Sequence, residues 1–188
     1  WASGPFCQSP CPCGPWPLHK SFEFQDYLEA KEKVLSKDLL LRTYLLLKPP
    51  FLTEKEAVQD LINSVEKISH PSNIISINPV NVQKGSLVEK LWRRKSYRPP
   101  WLWSIIDILK RIDSESMVIC SKAGLGSKRG AHNCGNCDDS LIETIEDFNL
   151  SQNRESLNKI EDIDCNCYSE WVLESNLEPY LQSRGSTD

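Results

Sequence analysis

LLLRTYLLLKPPFLTEKEAVQDLINSVEKI, residues 39–68, decides the fold class. Its opening is an apolar run of strand length, interrupted by Arg42 and closed by Pro49 and Pro50. Such a run is the profile of a strand buried on both faces of a parallel sheet. Beyond the prolines the period changes. Thr53 stands as a helix N-cap with Glu56 three residues on, the capping-box pattern. Ala57, Leu61 and Val65 follow at helical spacing and form an inner face. A buried strand running into a capped amphipathic helix is one β/α unit.

The unit repeats on both sides of this stretch. SFEFQDYLEAKEKVLSKD, residues 21–38, predicts a preceding helix with Phe24, Tyr27 and Leu28 on one side. NIISINPV, residues 73–80, predicts a second strand and MVIC, residues 117–120, a third. Between them GSLVEKLWRRK and PWLWSIIDILKRID read as helices, the second started by Pro99 and Pro100. Alternating helices and strands imply an α/β fold with a right-handed parallel sheet. In such folds the loops leaving the strand C-termini build the site. Here these are KPPFLTE, residues 48–54, and NPVNVQKGS, residues 78–86, and neither carries a phosphate-binding glycine signature.

The chain has 188 residues, enough for one compact domain or a core with a small appended module. No apolar run is long enough to cross a bilayer, and no basic start leads into an apolar stretch, so no membrane partner is expected and the compartment read from the sequence is the cytoplasm. The formal charge of −4 conceals a split. From Asp138 onward thirteen acidic residues face three basic ones, whereas the first 137 residues carry a net charge of +6. The first part suits a polyanion; the tail does not.

Eight cysteines in an intracellular chain favour metal, cluster or redox chemistry over disulfides. HNCGNCD, residues 132–138, holds Cys134 and Cys137 as CxxC, and Cys165 and Cys167 recur as CxC thirty residues later. Four thiolates from two short knuckles fit a tetrahedral zinc, and a four-cysteine iron–sulfur cluster is the other chemistry such a set serves. His132 competes with Cys167 as the fourth ligand. Cys7, Cys11 and Cys13 form CxxxCxC among prolines in an irregular leader, residues 1–18.

QKGSLVEKLWRRKSYRPPWLWS, residues 83–104, mixes six cations from Lys84 to Arg98 with the single Glu89 and interleaves Trp92, Tyr97, Trp101 and Trp103. Guanidinium groups pair with phosphates and aromatic faces stack on bases, so the stretch reads as an RNA contact. Lys90, Arg93, Arg94 and Arg98 are its candidates, joined by Lys128 and Arg129 on the glycine-rich loop SKAGLGSKRGAHN, residues 121–133. Trp101 and Trp103 equally suit core anchors. No serine, histidine and acid form a nucleophile motif.

KSFEFQDYLEAKEKVL, YLLLKPPFLTEKEA, SINPVNVQKGSLVEKLWRRKSYRPPWLWS and RGAHNCGNCD together resemble the archaeal radical S-adenosylmethionine proteins of archaeosine synthesis, relatives of the elongator-type radical enzymes. The likeness runs from about Lys20 to Trp171. It implies a partial (β/α) barrel binding S-adenosylmethionine and a 4Fe-4S cluster through an N-terminal CxxxCxxC. The family's reaction is a lyase step that splits a lysine adduct of a deazaguanine in tRNA, alongside the transferase subunit that attaches the lysine. By this resemblance the chain is the C-terminal part of such a protein, without the cluster motif and inactive alone. Residues 19–121 would be the late barrel and residues 122–188 a cysteine-rich metal-binding module with an acidic helical tail. The resemblance also implies that Asn78, Asn81 and Gln83 line the cofactor end, that Lys48 lies at the barrel mouth, and that Cys134, Cys137, Cys165 and Cys167 hold a metal. The alternative reading is a non-catalytic zinc-containing RNA-binding module.

Overall fold

The computed structural model describes residues 24–176. The leader with Cys7, Cys11 and Cys13 lies outside the described residues. Three strands, β1 (Leu41–Leu47), β2 (Asn73–Pro79) and β3 (Met117–Cys120), form a parallel sheet in the order β1-β2-β3. Leu41 pairs with Asn73 and Leu47 with Pro79, and Ile74 pairs with Met117. Helix α1 (Phe24–Leu35) precedes β1, α2 (Glu54–Ile68) joins β1 to β2, and α3 (Leu87–Arg93) and α4 (Leu102–Arg111) join β2 to β3. After β3 come α5 (Asp138–Ser151), a 3-10 helix (Arg154–Asp162) and α6 (Cys167–Asn176). No described helix is long and apolar enough to cross a membrane.

Both crossovers step the same way across the sheet. Right-handed connections then place α2 and α4 on one face, and those two helices pack against each other. The capping box forms as read: Glu56 N donates to Thr53 Oγ1 at 3.2 Å and Thr53 N to Glu56 Oε2 at 2.9 Å. Ala57, Leu61 and Val65 point into the core with Leu45, Leu47, Ile75 and Ile77. The same apolar core continues through Leu102, Ile105 and Leu109 of α4 to Leu141, Ile145 and Phe148 of α5 and on to Cys137 and Cys167.

Two sequence readings shift. The strand expected to be buried on both faces alternates instead, with Thr43, Leu45 and Leu47 buried and Arg42 exposed, because β1 stands outermost in the sheet order. Central β2 has the two-sided profile, with Ile75, Ser76 and Ile77 all buried. The helix expected from Pro99 begins at Leu102 with Trp101 as its N-cap in extended conformation. Proline disfavours helix in the residue before it, and the Trp101 amide is committed to Glu54 Oε1 at 3.0 Å.

The outer side of β3 is sealed by side chains. Asn149 Nδ2 donates to Cys120 O and accepts from Cys120 N through Oδ1, both at 2.8 Å. Gln152 does the same for Val118, donating at 2.9 Å and accepting at 3.0 Å. One carboxamide of α5 and that of its C-cap Gln152 thus imitate a neighbouring strand and satisfy an edge that would otherwise invite pairing. Asn149→Ala strips both partners from Cys120, and half-buried orphaned backbone groups cost about 1–3 kcal/mol. Denaturant titration should show a loss of about 2 kcal/mol on that scale, despite alanine's better helix propensity. Leu150→Ala, at a side chain 86% exposed, should cost almost nothing.

Candidate metal centre and cationic face

The site is assembled at the C-terminal ends of the strands. Lys48 follows β1 with a left-handed φ of 57°, a conformation most residues avoid. Its carbonyl accepts from Tyr97 Oη at 2.8 Å. Its ammonium is buried and meets Glu54 Oε2 at 2.5 Å and Glu174 Oε1 at 3.5 Å. Glu54 is itself 1% exposed; its Oε1 accepts from Trp101 N and from Ser104 Oγ at 2.5 Å. Glu54 Oε2 has no well-angled hydrogen bond, so the charge of Lys48 is what meets it.

The four thiols of Cys134, Cys137, Cys165 and Cys167 converge, with every sulfur within 4.8 Å of the others. Cys134 Sγ lies 3.5 Å from Cys165 Sγ, Cys137 Sγ 3.5 Å from Cys167 Sγ, and Cys165 Sγ 3.3 Å from Cys167 Sγ. All four are free thiols. A zinc about 2.3 Å from four tetrahedral sulfurs spaces them about 3.8 Å apart, so the donor set and its span fit that ion. Gly135, at φ +94°, makes the turn between the first pair. Asp138 closes the turn by accepting from Gly135 N at 2.9 Å and from Asn133 N at 3.1 Å.

His132 is turned away from this group. Its Nδ1 pairs with Gly130 O at 2.8 Å, and burial, first among its causes, lowers its pKa. Between the alternatives of His132 and Cys167, the geometry gathers Cys167 with the other thiols. The sulfurs also carry neighbours that the sequence did not announce: Trp103 Nε1 donates to Cys167 Sγ at 3.3 Å and Asn133 Nδ2 to Cys137 Sγ at 3.4 Å. Burial raises Cys137, against the Asn133 hydrogen bond, to about 11, and burial likewise raises Cys167. At Cys134, desolvation is outweighed by the amides of Asn136 and Cys137 and the thiols of Cys165 and Cys167, and its pKa falls to about 7.

The candidate cations divide into two groups. Lys90, Arg93, Arg94 and Lys128 are exposed, Arg93 at 67% of its side chain. Arg98 and Arg129 are committed within the fold. Arg129 Nη2 pairs with Glu89 Oε1 at 2.8 Å, its Nε donates to Val82 O at 2.9 Å, and its guanidinium lies 5.0 Å from the centre of the Trp92 ring. Arg98 donates to Pro99 O at 2.9 Å and to His132 O at 2.7 Å, and stacks 3.6 Å over Trp101. Trp101 and Trp103 are core anchors, 6% and 3% exposed.

Of the residues expected at the cofactor end, Asn78 is half-buried with Nδ2 on Ser76 O at 3.1 Å, and Gln83 is exposed. Asn81 is wedged against Gly124, where a Cβ would strike its carboxamide. All three leave the C-terminal end of β2, beside the loop 121–133 to which Val82 N binds through Arg129 O at 2.6 Å. Sequence reasoning missed Glu54, Asn133, Ser104 and Glu174, since each acts through a partner more than thirty residues distant, or belongs to such a network. Asp138, flanking the CxxC, was the one legible signal among these supports.

Fold and site together define a parallel β/α protein with a four-thiol centre at the C-terminal end of its sheet and exposed cations on a nearby helix. The chain is similar to archaeosine synthase subunit beta of Methanosarcina acetivorans, 40% identical over 166 residues, 87% of this chain and 47% of that protein. The subunit of the same name from Thermococcus kodakarensis is 37% identical over 166 residues, 85% of this chain and 50% of that one. An uncharacterized protein of Methanocaldococcus jannaschii is 39% identical over 160 residues, 82% of this chain and 43% of it. The chain thus spans about half the length of these curated relatives. No family model and no solved structure matches it.

Glu89 organises the cationic helix. Its carboxylate accepts from Gly85 N at 2.7 Å and pairs with Arg129 and Arg93. The Arg129 hydrogen bond, then that of Gly85, lowers its pKa to about 2. A carboxyl held below its unfolded value stabilises the fold above pH 4.5, and this contribution fades as pH falls towards 2. Glu89→Gln should therefore melt below the parent at pH 7, and the gap should shrink between pH 4.5 and 2. Thermal melts across that range read this directly.

Proposed function

We propose that this chain is the metal-centre-bearing part of a radical S-adenosylmethionine lyase of archaeosine biosynthesis. The reaction splits a lysine-adducted deazaguanine base in tRNA and works with the transferase subunit that attaches the lysine. The observation that carries this is the 37–40% identity, over 166 residues each, to two proteins named archaeosine synthase subunit beta. The parallel order β1-β2-β3 is compatible with a sector of a (β/α) barrel, and equally with one half of a doubly wound sheet.

In this reading zinc sits on Cys134, Cys137, Cys165 and Cys167, where it supplies no redox chemistry and serves as a structural tie. Asn78, Asn81 and Gln83 lie along the rim facing S-adenosylmethionine. Lys90, Arg93, Arg94 and Lys128 face the tRNA backbone. The 4Fe-4S cluster, when bound, supplies the electron that cleaves S-adenosylmethionine. Cys7, Cys11 and Cys13 have CxxxCxC spacing, one residue short of the family pattern, and no step is routed through them.

The test is a chimera in which this chain replaces the matching 166 residues of the Methanosarcina acetivorans relative. The product base, read by mass spectrometry of tRNA, is expected to form. A folded, cluster-loaded chimera that leaves the lysine adduct intact would overturn the proposal. The isolated chain should hold one zinc and bind tRNA, with affinity falling steeply with salt. Each neutralised phosphate contributes about 0.7–0.9 to the slope of log affinity against log salt, so Arg93→Ala combined with Arg94→Ala should flatten that slope by about 1.5.

A further inference from the structure

Seven residues, RPPWLWS at 98–104, touch both arms of the thiol centre. The first arm holds Cys134 and Cys137. Arg98 Nη2 donates to His132 O at 2.7 Å, His132 N donates back to Pro100 O at 3.2 Å, and Leu102 N donates to Asn133 Oδ1 at 2.9 Å. Asn133 in turn bonds Cys137 Sγ. The second arm is α6. Trp103 Nε1 reaches Cys167 Sγ, Trp171 Nε1 donates to Ser104 Oγ at 2.8 Å, and Trp101 Nε1 donates to Glu174 Oε2 at 2.7 Å. Two segments thirty residues apart in sequence are thereby fastened to one short stretch.

Arg98 opens that stretch. Its guanidinium is half-buried, stacked 3.6 Å over Trp101, and bonded to two neutral carbonyls. Among the described residues it forms no ion pair. Glu54, Glu174, Asp138 and Cys167 are the anionic groups whose fields favour its charge. A divalent ion held by four thiolates leaves two negative charges uncompensated, and a nearby desolvated cation offsets them.

We infer that residues 98–104 are the seat on which the two thiol arms are pre-positioned, and that Arg98 is a positioning residue for the metal centre, leaving RNA contact to the exposed cations. The inference rests on the reading of the four thiols as zinc ligands and deepens it. It gives the tryptophan-rich motif one purpose: a rigid aromatic plate whose N–H groups and stacked cation orient sulfur. Groups hydrogen-bonded to a ligand, as Trp103 and Asn133 are to Cys167 and Cys137, change metal affinity about 10–100-fold when deleted; Arg98 acts one step further out, through the His132 carbonyl.

The experiment uses the whole chain with zinc and, separately, with cobalt as the spectroscopic probe. Chelator competition should show Arg98→Ala binding zinc more weakly than the parent, by about tenfold, the low end of that range. Arg98→Lys, which keeps the charge without the planar fork, should recover part of that loss. Trp103→Phe keeps an aromatic ring at this buried position, at some cost in packing, and removes the N–H···S bond, so its thiolate-to-cobalt charge-transfer band should move in a variant whose far-ultraviolet circular dichroism matches the parent. The salt slope of tRNA binding should be the same in Arg98→Lys as in the parent. Unchanged zinc affinity and cobalt spectrum across these variants overturn the inference and leave zinc ligation standing. A reduced parent chain that takes up no metal overturns both. If Arg98→Ala does not fold, Arg98→Lys and Trp103→Phe decide.

Discussion

One buried carboxylate holds the strand ends and helix starts together. Glu54 opens α2 and sits 1% exposed, where an unpartnered charge would cost several kcal/mol. It is met from three directions: Lys48 at the end of β1, and Trp101 and Ser104 at the start of α4. Its place in the first turn of α2 also sets it against the positive end of the helix dipole. The left-handed backbone at Lys48 belongs to this arrangement, and strain of that sort persists only where the surroundings fix it. Because Trp101 and Ser104 also anchor α6 through Glu174 and Trp171, the geometry of the thiol centre is tied back to this single charge.

The frame of the fold was legible because it rests on local periodicity. Thr53 and Glu56 announced a capping box, and the strands at 41–47, 73–79 and 117–120 were visible as short apolar runs bounded by proline or polar residues. The CxxC and CxC pairs were likewise visible as a metal-ligand pattern. Side-chain partnerships across thirty or more residues were not. Nothing in the spacing of Asn149 and Gln152 says that they complete an edge of β3. Nor does sequence distinguish Arg98 from Arg93, five residues away: one faces carbonyls and an aromatic ring, the other is mostly solvent-exposed with Glu89 as its partner. Composition counts cations; only the fold says which of them are already occupied.

That division changes what the basic stretch means. Six cations in fifteen residues looked like a continuous polyanion surface. Arg98 is tied into the seat of the thiol centre, and Arg129, from the neighbouring loop, joins Glu89 and Val82 in bracing α3. The exposed remainder, Lys84, Lys90, Arg93, Arg94 and Lys95, together with Lys128 of the loop, sits on and beside the helix so braced. A cationic surface recognises a shaped polyanion best when its charges are held at fixed spacing, because less side-chain entropy is lost on contact. In the proposed reading, the two half-buried guanidinium groups would serve tRNA recognition indirectly, by stiffening the surface that carries the others.

Helix α6 shows what a metal on the four thiols would add to this architecture. Helix α6 buries only Cys167, and Leu173 on it is 70% exposed. At about 25 cal/mol per Å² of apolar burial, so little buried surface cannot by itself hold a ten-residue helix in place. Beside the edge-on contact of Tyr168 with Trp103 at 5.2 Å and the packing of half-buried Trp171 on the core, its attachments are polar: Trp171 to Ser104, Glu174 to Lys48 and Trp101, and the sulfur contacts at its first turn. Metal-binding free energy is folding free energy wherever the ligands come from segments that would otherwise separate. With Cys134 and Cys137 rooted in the core through Asn133 and Asp138, the arm that has most to gain is the one carrying Cys165 and Cys167. A metal on the four thiols would thus be the tie that keeps α6 over the Lys48–Glu54 pair, substituting coordination for the apolar area that α6 does not bury.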